Sequence, residues 1–395
     1  MIAPTPPIEG RCDARFAELR EAFAANFREL DEVGAGLCVE IGSARVVDLW
    51  GGHCDAARTR PWREDTLVNA YSVGKGVVAM LVLAVIERGD LALDAPVASF
   101  WPEFAASGKD AISVRTLLAH RAGLPAVRER MPDQALYDWD RMCAALASQR
   151  PYWAPGTAHG YHVNTYGFLA GELVRRVTRI GVREALARFL TGPAHADFHY
   201  GLAPRDHARV ADTVTPLVPF REEAQWALAF PPTGDAEYDR MIWHSYFNPT
   251  GISGIGVVNT PAWRSAVVPS TNGHGTARGV AALYTSFLCG RVGGSRWIGD
   301  SLRAEAVSIQ SDGEDHVTRR PSRFGLGFQL ASPSRPIGAS PRAFGHFGYG
   351  GSLGFADPDA GLAFGYLMNR PGERWNNPRT ERLVDALYRC LASGS

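Results

Sequence analysis

Lysine is nearly missing from this 395-residue chain: of 41 basic residues only Lys75 and Lys109 are lysines, and the rest are arginines. A lysine kept against that background points to chemistry that a permanently charged guanidinium cannot perform. Runs of like charge are missing too. The 41 basic residues are balanced by 41 acidic ones, and no stretch of five or six like charges occurs. Neither nucleic acid nor an anionic membrane is therefore an expected partner, and a small molecule is. The six cysteines form no C-x-x-C pair, which removes the usual zinc and thioredoxin-type patterns; no metal and no cofactor is expected.

Long apolar runs are lacking as well. The longest, Gly76 to Ile86, falls short of the roughly 20 residues that span a bilayer and reads as a buried helix. The first residues, MIAPTPPIEGRCDARF, carry proline and charge where a secretory signal needs an apolar run of about 7 to 15 residues. The expected location is cytoplasmic. What is present suits a globular protein: 46% hydrophobic, 10% aromatic and 21% charged residues can bury a sizeable core, which excludes disorder.

Periodicity supplies the outline. Ala14 to Leu30 carries Phe16, Leu19, Phe23 and Phe27 on one helical stripe. Gly36 to Ile41 and Ala44 to Trp50 are β-rich runs separated by Gly42 and Ser43, a hairpin pattern. The apolar helix that begins near Ser72 ends at Glu87-Arg88-Gly89, with Gly89 as its C-cap. Helical stripes follow at 114–120, 138–149 and 165–180. Strand signals return at Phe324–Leu330, Ala343–Phe347, Gly351–Ala356 and Leu362–Met368, and a helix at Glu381–Leu391 closes the chain. This order predicts an α/β (α+β) chain with one antiparallel sheet built from both chain ends and flanked by helices, into which a mainly helical lobe is inserted. Residues 1–85 and 265–395 form the sheet lobe in this reading, and 86–264 the helical lobe.

Ser72-Val73-Gly74-Lys75 fits S-x-x-K, and three residues are nearly one helical turn, so both side chains face the same way at a helix start. A serine hydroxyl is a poor nucleophile until a base takes its proton, and a lysine desolvated by Val77, Val78 and Met80 can serve as that base. The helix N-terminus adds free N–H groups for a developing oxyanion. Tyr161 sits on a loop leading into the helix of Leu169, Leu173 and Val177, and His346 lies in a glycine-dense strand edge where backbone can approach a ligand. Both residue types also occur as plain structural residues in such places. A competing motif, Gly350-Gly351-Ser352-Leu353-Gly354, matches G-x-S-x-G. That motif needs a helix after its serine, whereas here a turn and a strand follow, and no histidine lies downstream.

Five ordered motifs resemble a known family: Y-S-V-G-K, E-R-G-D-L-A-L-D-A-P-V, L-L-A-H-R-A-G-L-P, P-G-T-A-H-G-Y-H-V-N and G-H-F-G-Y-G-G-S-L-G. Together they resemble the serine β-lactamase and penicillin-binding-protein superfamily, class C-like and closest to family VIII carboxylesterases, over about residues 30 to 390. The resemblance implies a β-lactamase/transpeptidase-like fold with Ser72 acylated and with Lys75 and Tyr161 sharing the base and acid roles. It implies an oxyanion hole from the N–H groups of Ser72 and Tyr349, and His346-Phe347-Gly348 in place of a Lys-Thr-Gly strand. One departure stands out. The family places asparagine two residues after the tyrosine; here Val163 holds that place and Asn164 comes one later, while His162 is at most a supporting residue.

Loss of the lysine and threonine of the third motif removes groups suited to a substrate carboxylate, so a neutral small-molecule ester is the expected substrate. A β-lactamase, a D-amino peptidase or amidase, an acyltransferase and a non-catalytic binding module of the same fold stay open, as does a homo-oligomer. The aromatic segment 215–265, with Trp226, Phe230, Tyr238, Trp243, Tyr246 and Phe247, is the expected pocket lining.

Overall fold

The computed structural model describes residues 6–214, 230–373 and 377–393. Its first strands are β1 Ile8–Cys12, β2 Gly34–Ile41 and β3 Ala44–Gly52, followed by the short β4 Val68–Asn69, β5 Phe198–Tyr200 and β6 Gly273–Gly275. A small hairpin, β7 Arg291–Val292 with β8 Ser295–Arg296, precedes β9 Ser311–Glu314, β10 Pro321–Phe324 and β11 Gln329–Leu330. The set ends with β12 Phe344–Phe347, β13 Leu353–Asp357 and β14 Leu362–Met368. Among the described residues, strands from both chain ends join in one nine-stranded sheet, ordered β1-β3-β2-β14-β13-β12-β11-β10-β9. The ends meet where β14 runs antiparallel to β2, with Leu362 opposite Ile41 and Met368 opposite Ala35. This is the antiparallel sheet that the order of elements predicts.

Local chemistry accounts for the pieces. Ile41 pairs with Ala44, so Gly42 and Ser43 are a two-residue hairpin loop, and Gly42 supplies the positive φ, 62°, that such turns require. Two strand expectations need correction. Phe324–Leu330 is not one strand: β10 stops at Phe324, Gly327 turns with φ 83°, and Phe324 then pairs with Gln329 of β11. β1 was not anticipated, because its IEGRC sequence has two charges and one glycine in five residues and shows no apolar alternation.

Helices Ala17–Glu29 and Pro378–Ala392 cover one face of the sheet, burying Leu19, Phe23, Leu383 and Leu387 against Phe355 and Phe364. Helices Ala277–Cys289 and Val73–Glu87 lie on the other face. Every residue from Val73 to Val85 is buried, which explains why this helix is apolar all round rather than striped. It packs so closely that side chains are excluded at two positions. A Cβ on Gly74 would stand 2.7 Å from the Pro269 carbonyl oxygen, and one on Gly76 would stand 2.5 Å from the Tyr284 hydroxyl. No helix among the described residues is long and apolar enough to cross a membrane.

The contact at Gly76 generates a test. Gly76→Ala is expected to destabilise the protein by about 1–3 kcal/mol through overpacking. Tyr284→Phe in the same chain should recover most of that loss, because the buried Tyr284 hydroxyl has no hydrogen-bond partner among the described residues. Urea midpoints of the two single variants and the double variant read the coupling.

Candidate active site

Ser72 stands at the start of the buried helix, directly after Tyr71, whose backbone lies in the left-handed region at φ 49°. Non-glycine residues rarely adopt that conformation, and such strain clusters where geometry matters more than comfort. A serine at a helix N-cap ordinarily turns its hydroxyl onto the helix's own N–H groups. Here it makes no capping bond. Its Oγ instead accepts a hydrogen bond from Lys75 Nζ at 3.0 Å.

Lys75 is fully buried. Its Nζ also donates to the Ser270 carbonyl oxygen at 2.9 Å and sits 4.8 Å from the centroid of the Tyr161 ring. The Ser270 loop is fixed in turn: Ser270 Oγ accepts the Gly167 N–H at 2.7 Å, and Asn69 Nδ2 donates to the Thr271 carbonyl oxygen at 3.0 Å. Short β4, β5 and β6 pair beside this loop and give it a frame. Strands of two or three residues are too short to show period-two alternation, so the small sheet was not legible in the sequence.

Tyr161 is held by a residue no motif indicated. The buried carboxylate of Asp315 accepts the Tyr161 backbone N–H at 3.0 and 3.1 Å, together with the N–H groups of Val317 and Thr318 and the hydroxyl of Ser322. The Tyr161 ring lies parallel to Phe324 at 5.9 Å. Behind it, His162 donates from Nδ1 to the Gly160 carbonyl oxygen and accepts the Leu124 N–H at Nε2. That pattern fixes it as a neutral, satisfied imidazole bracing the loop.

His346 is fully buried on β12, 5.9 Å from the Tyr161 ring, and donates from Nδ1 to its neighbour's carbonyl at Phe347. Burial, and then the charge of Lys75, hold its imidazole well below the ordinary histidine range. It is therefore a neutral group. Phe347 lines the cleft itself, its N–H bound to Gln329 Oε1 at 2.9 Å and its ring 4.3 Å beneath the Arg335 guanidinium. Gly348 is confined by sterics: a Cβ there would come 2.6 Å from the Ala70 carbonyl oxygen.

One cleft brings together Ser72, Tyr161, Asn164, Tyr246, Phe347 and Tyr349. Asn164, despite its shifted position, faces this space and ties its walls: Nδ2 donates to the Ser245 carbonyl oxygen and Ser253 Oγ, and Oδ1 accepts from Thr271 Oγ1. Of the aromatic segment, Tyr246 and Phe247 line the cleft. Trp243 does not. Its ring packs on Phe247 at 4.3 Å, one turn further along the helix Ala236–Phe247. Phe230 packs on Tyr246 at 5.6 Å, while Trp226 lies outside the described residues. Ser352 is fully buried at the head of β13, with no helix after it, so it cannot present a nucleophile to the cleft. Asp315, Gln329 and Arg335 were missed because they lie about 240 to 260 residues from Ser72 in sequence and carry no spacing motif.

Comparison with known proteins gives a consistent picture. A family model described as beta-lactamase matches residues 23–388. The chain is 32% identical to the esterase/beta-lactamase LipL of Mycobacterium tuberculosis, over 92% of this chain and 83% of that protein. A crystal structure of a family VIII carboxylesterase superposes with a TM-score of 0.88 at 39% identity, covering 97% of this chain and all of the other. A penicillin-binding-protein homologue from Caulobacter crescentus superposes at 0.87 with 36% identity, with the same coverage.

The buried histidines set an acid limit. Burial lowers the His162 pKa to about 4 from an ordinary 6.5. Above pH 6.5 the imidazole is neutral in both the folded and unfolded chain. Between 6.5 and about 4 only the unfolded chain takes up the proton, so stability falls with pH by about 1.4 kcal/mol per unit for this group. Urea unfolding at pH 7.5, 5.5 and 4.5 should show that decline, and His162→Gln should make it shallower, the other buried histidines keeping the rest; equal slopes in both proteins would contradict the assignment.

Proposed function

The chain belongs to the beta-lactamase family, and from that premise we propose a serine carboxylesterase with Ser72 as nucleophile, Lys75 as its base and Tyr161 as partner in proton transfer. The observation that carries this reading is the 3.0 Å contact between Lys75 Nζ and Ser72 Oγ at the floor of the cleft. The esterase names of the relatives support the reaction class.

In this reading, neutral Lys75 takes the Ser72 proton as Oγ attacks the ester carbonyl carbon. The carbonyl electron pair moves to oxygen, which the N–H groups of Ser72 and Tyr349 receive. Collapse of the tetrahedral species expels the alkoxide, which takes a proton through Lys75 and Tyr161 and leaves as an alcohol. Water then attacks the acyl-serine; the same pair removes its proton and returns one to Ser72 Oγ, releasing the carboxylic acid. Asp315 keeps Tyr161 in place through its backbone N–H, and the Ser270 carbonyl orients Lys75.

Substrate preference follows from the strand edge. His346 is neutral and Phe347 apolar, so neither offers an ammonium or a hydroxyl to a carboxylate. Arg335 supplies a positive charge at the cleft wall instead. Neutral esters are favoured, and anionic β-lactams remain secondary substrates that depend on Arg335.

Two measurements test the proposal. Lys75→Arg should lose as much p-nitrophenyl butyrate hydrolysis as Lys75→Ala, by several powers of ten, since a guanidinium cannot accept the serine proton; near-normal activity in the arginine variant would reduce Lys75 to a source of charge. Across a panel of p-nitrophenyl esters, nitrocefin and D-alanyl amides, neutral esters should exceed nitrocefin in kcat/KM by at least about tenfold, equivalent to one charge-assisted hydrogen bond. Arg335→Ala should widen that ratio, and equal efficiency on esters and nitrocefin in the unaltered protein would contradict the preference.

A further inference from the structure

A second cavity, of about 450 Å³, adjoins the cleft. Arg335, Phe347 and Gly348 belong to the walls of both. Side chains alternate along a strand, so β12 sends His346 toward Lys75 and Phe347 to the opposite face of the sheet. There Phe347 packs against the cluster that contains Ile337, Leu353 and Leu387. The second cavity opens on that face, between the 335–339 loop and the helix Pro378–Ala392. Its inner wall is Ile337, Leu353, Val384 and Tyr388, and its rim carries the exposed charges of Glu381, Asp385 and Arg389. At the junction Gly348 contributes backbone alone.

We propose that this cavity is a substrate subsite that takes a long hydrocarbon arm of the ester cleaved at Ser72. The inference rests on the esterase reading and adds the substrate class to it. Three features select the occupant. The inner wall is mainly apolar, so burying methylenes there is favourable by about fourfold in binding for each one. Arg335, Phe347 and Gly348 line the cleft and the cavity alike, so the two spaces adjoin there and an arm attached to the reacting carbonyl reaches the cavity by passing this shared wall. The rim holds charges of both signs, Glu381 and Asp385 against Arg389, which gives no single polarity for an ionic ligand. The polar side chains on the wall are already bonded within the protein: the Tyr388 hydroxyl to Asp357 Oδ2, the Thr380 hydroxyl to the Gly351 carbonyl oxygen and Asn377 Nδ2 to the Gly350 carbonyl oxygen.

The test compares arm lengths in the purified full-length protein. Val384→Trp fills the cavity from the helix, and Ala339→Trp fills it from the opposite loop; neither residue belongs to the catalytic machinery. For each protein, kcat/KM is measured on p-nitrophenyl butyrate and decanoate, which vary the acyl arm, and on ethyl and decyl acetate, which vary the alcohol arm. All substrates are kept below their micellar concentrations. In one of the two series the long ester should lose at least about tenfold in each correctly folded variant, while the short ester stays within about twofold; the affected series identifies the arm. Equal change in long and short esters, or no change in either, overturns the proposal. A wild-type profile that falls more than tenfold from short to long in both series also overturns it. Failure of the wild-type protein to hydrolyse p-nitrophenyl butyrate would instead strike the esterase reading.

Discussion

The rest of the site depends on one constraint: a buried lysine amine must be held against a serine hydroxyl. Lys75 meets the constraint with hydrogen bonds to Ser72 Oγ and the Ser270 carbonyl oxygen and with the face of the Tyr161 ring. A buried polar group without such partners is costly, so each of these neighbours has to be anchored in turn. Ser270 is anchored by Gly167 and Tyr161 by Asp315, which draws residues from across the chain into one centre. The glycines at 74 and 76 belong to the same requirement. They let Pro269 and Tyr284 approach the helix that carries the lysine.

The sheet explains why these distant residues meet. Its two halves come from opposite chain ends and join at β2 and β14, so β12 arrives beside the helix of Ser72 although more than 250 residues separate them. Strand alternation then divides the labour on β12. His346 points inward as a neutral group behind Tyr161, and Phe347 points outward between the cleft and the neighbouring cavity.

Much of this was legible in the sequence, for physical reasons. The helix Val73–Glu87, the 41–44 hairpin and strands β12 to β14 have long or sharply punctuated apolar patterns. Ser72 and Lys75 share one turn, so spacing alone brought them together. Asp315, Gln329 and Arg335 act through tertiary contacts that no local period encodes. An aromatic-rich segment marks a packed region without saying which ring reaches the cleft: Trp243 packs on Phe247, and Tyr246 and Phe247 line the cleft. Asn164 shows that a shifted motif position does not remove a residue from the cleft wall, because its amide bonds reach Ser245, Ser253 and Thr271 from where it stands.

The central claim is that catalysis passes through an acyl group on Ser72. Quenching the enzyme during turnover of a slowly deacylated ester, followed by mass analysis of its peptides, tests it most directly. The account predicts one acyl mass increment on the peptide at Ser72 and none in Ser72→Ala, which should not turn over. An increment located at Ser352, or continued hydrolysis by Ser72→Ala, would contradict it.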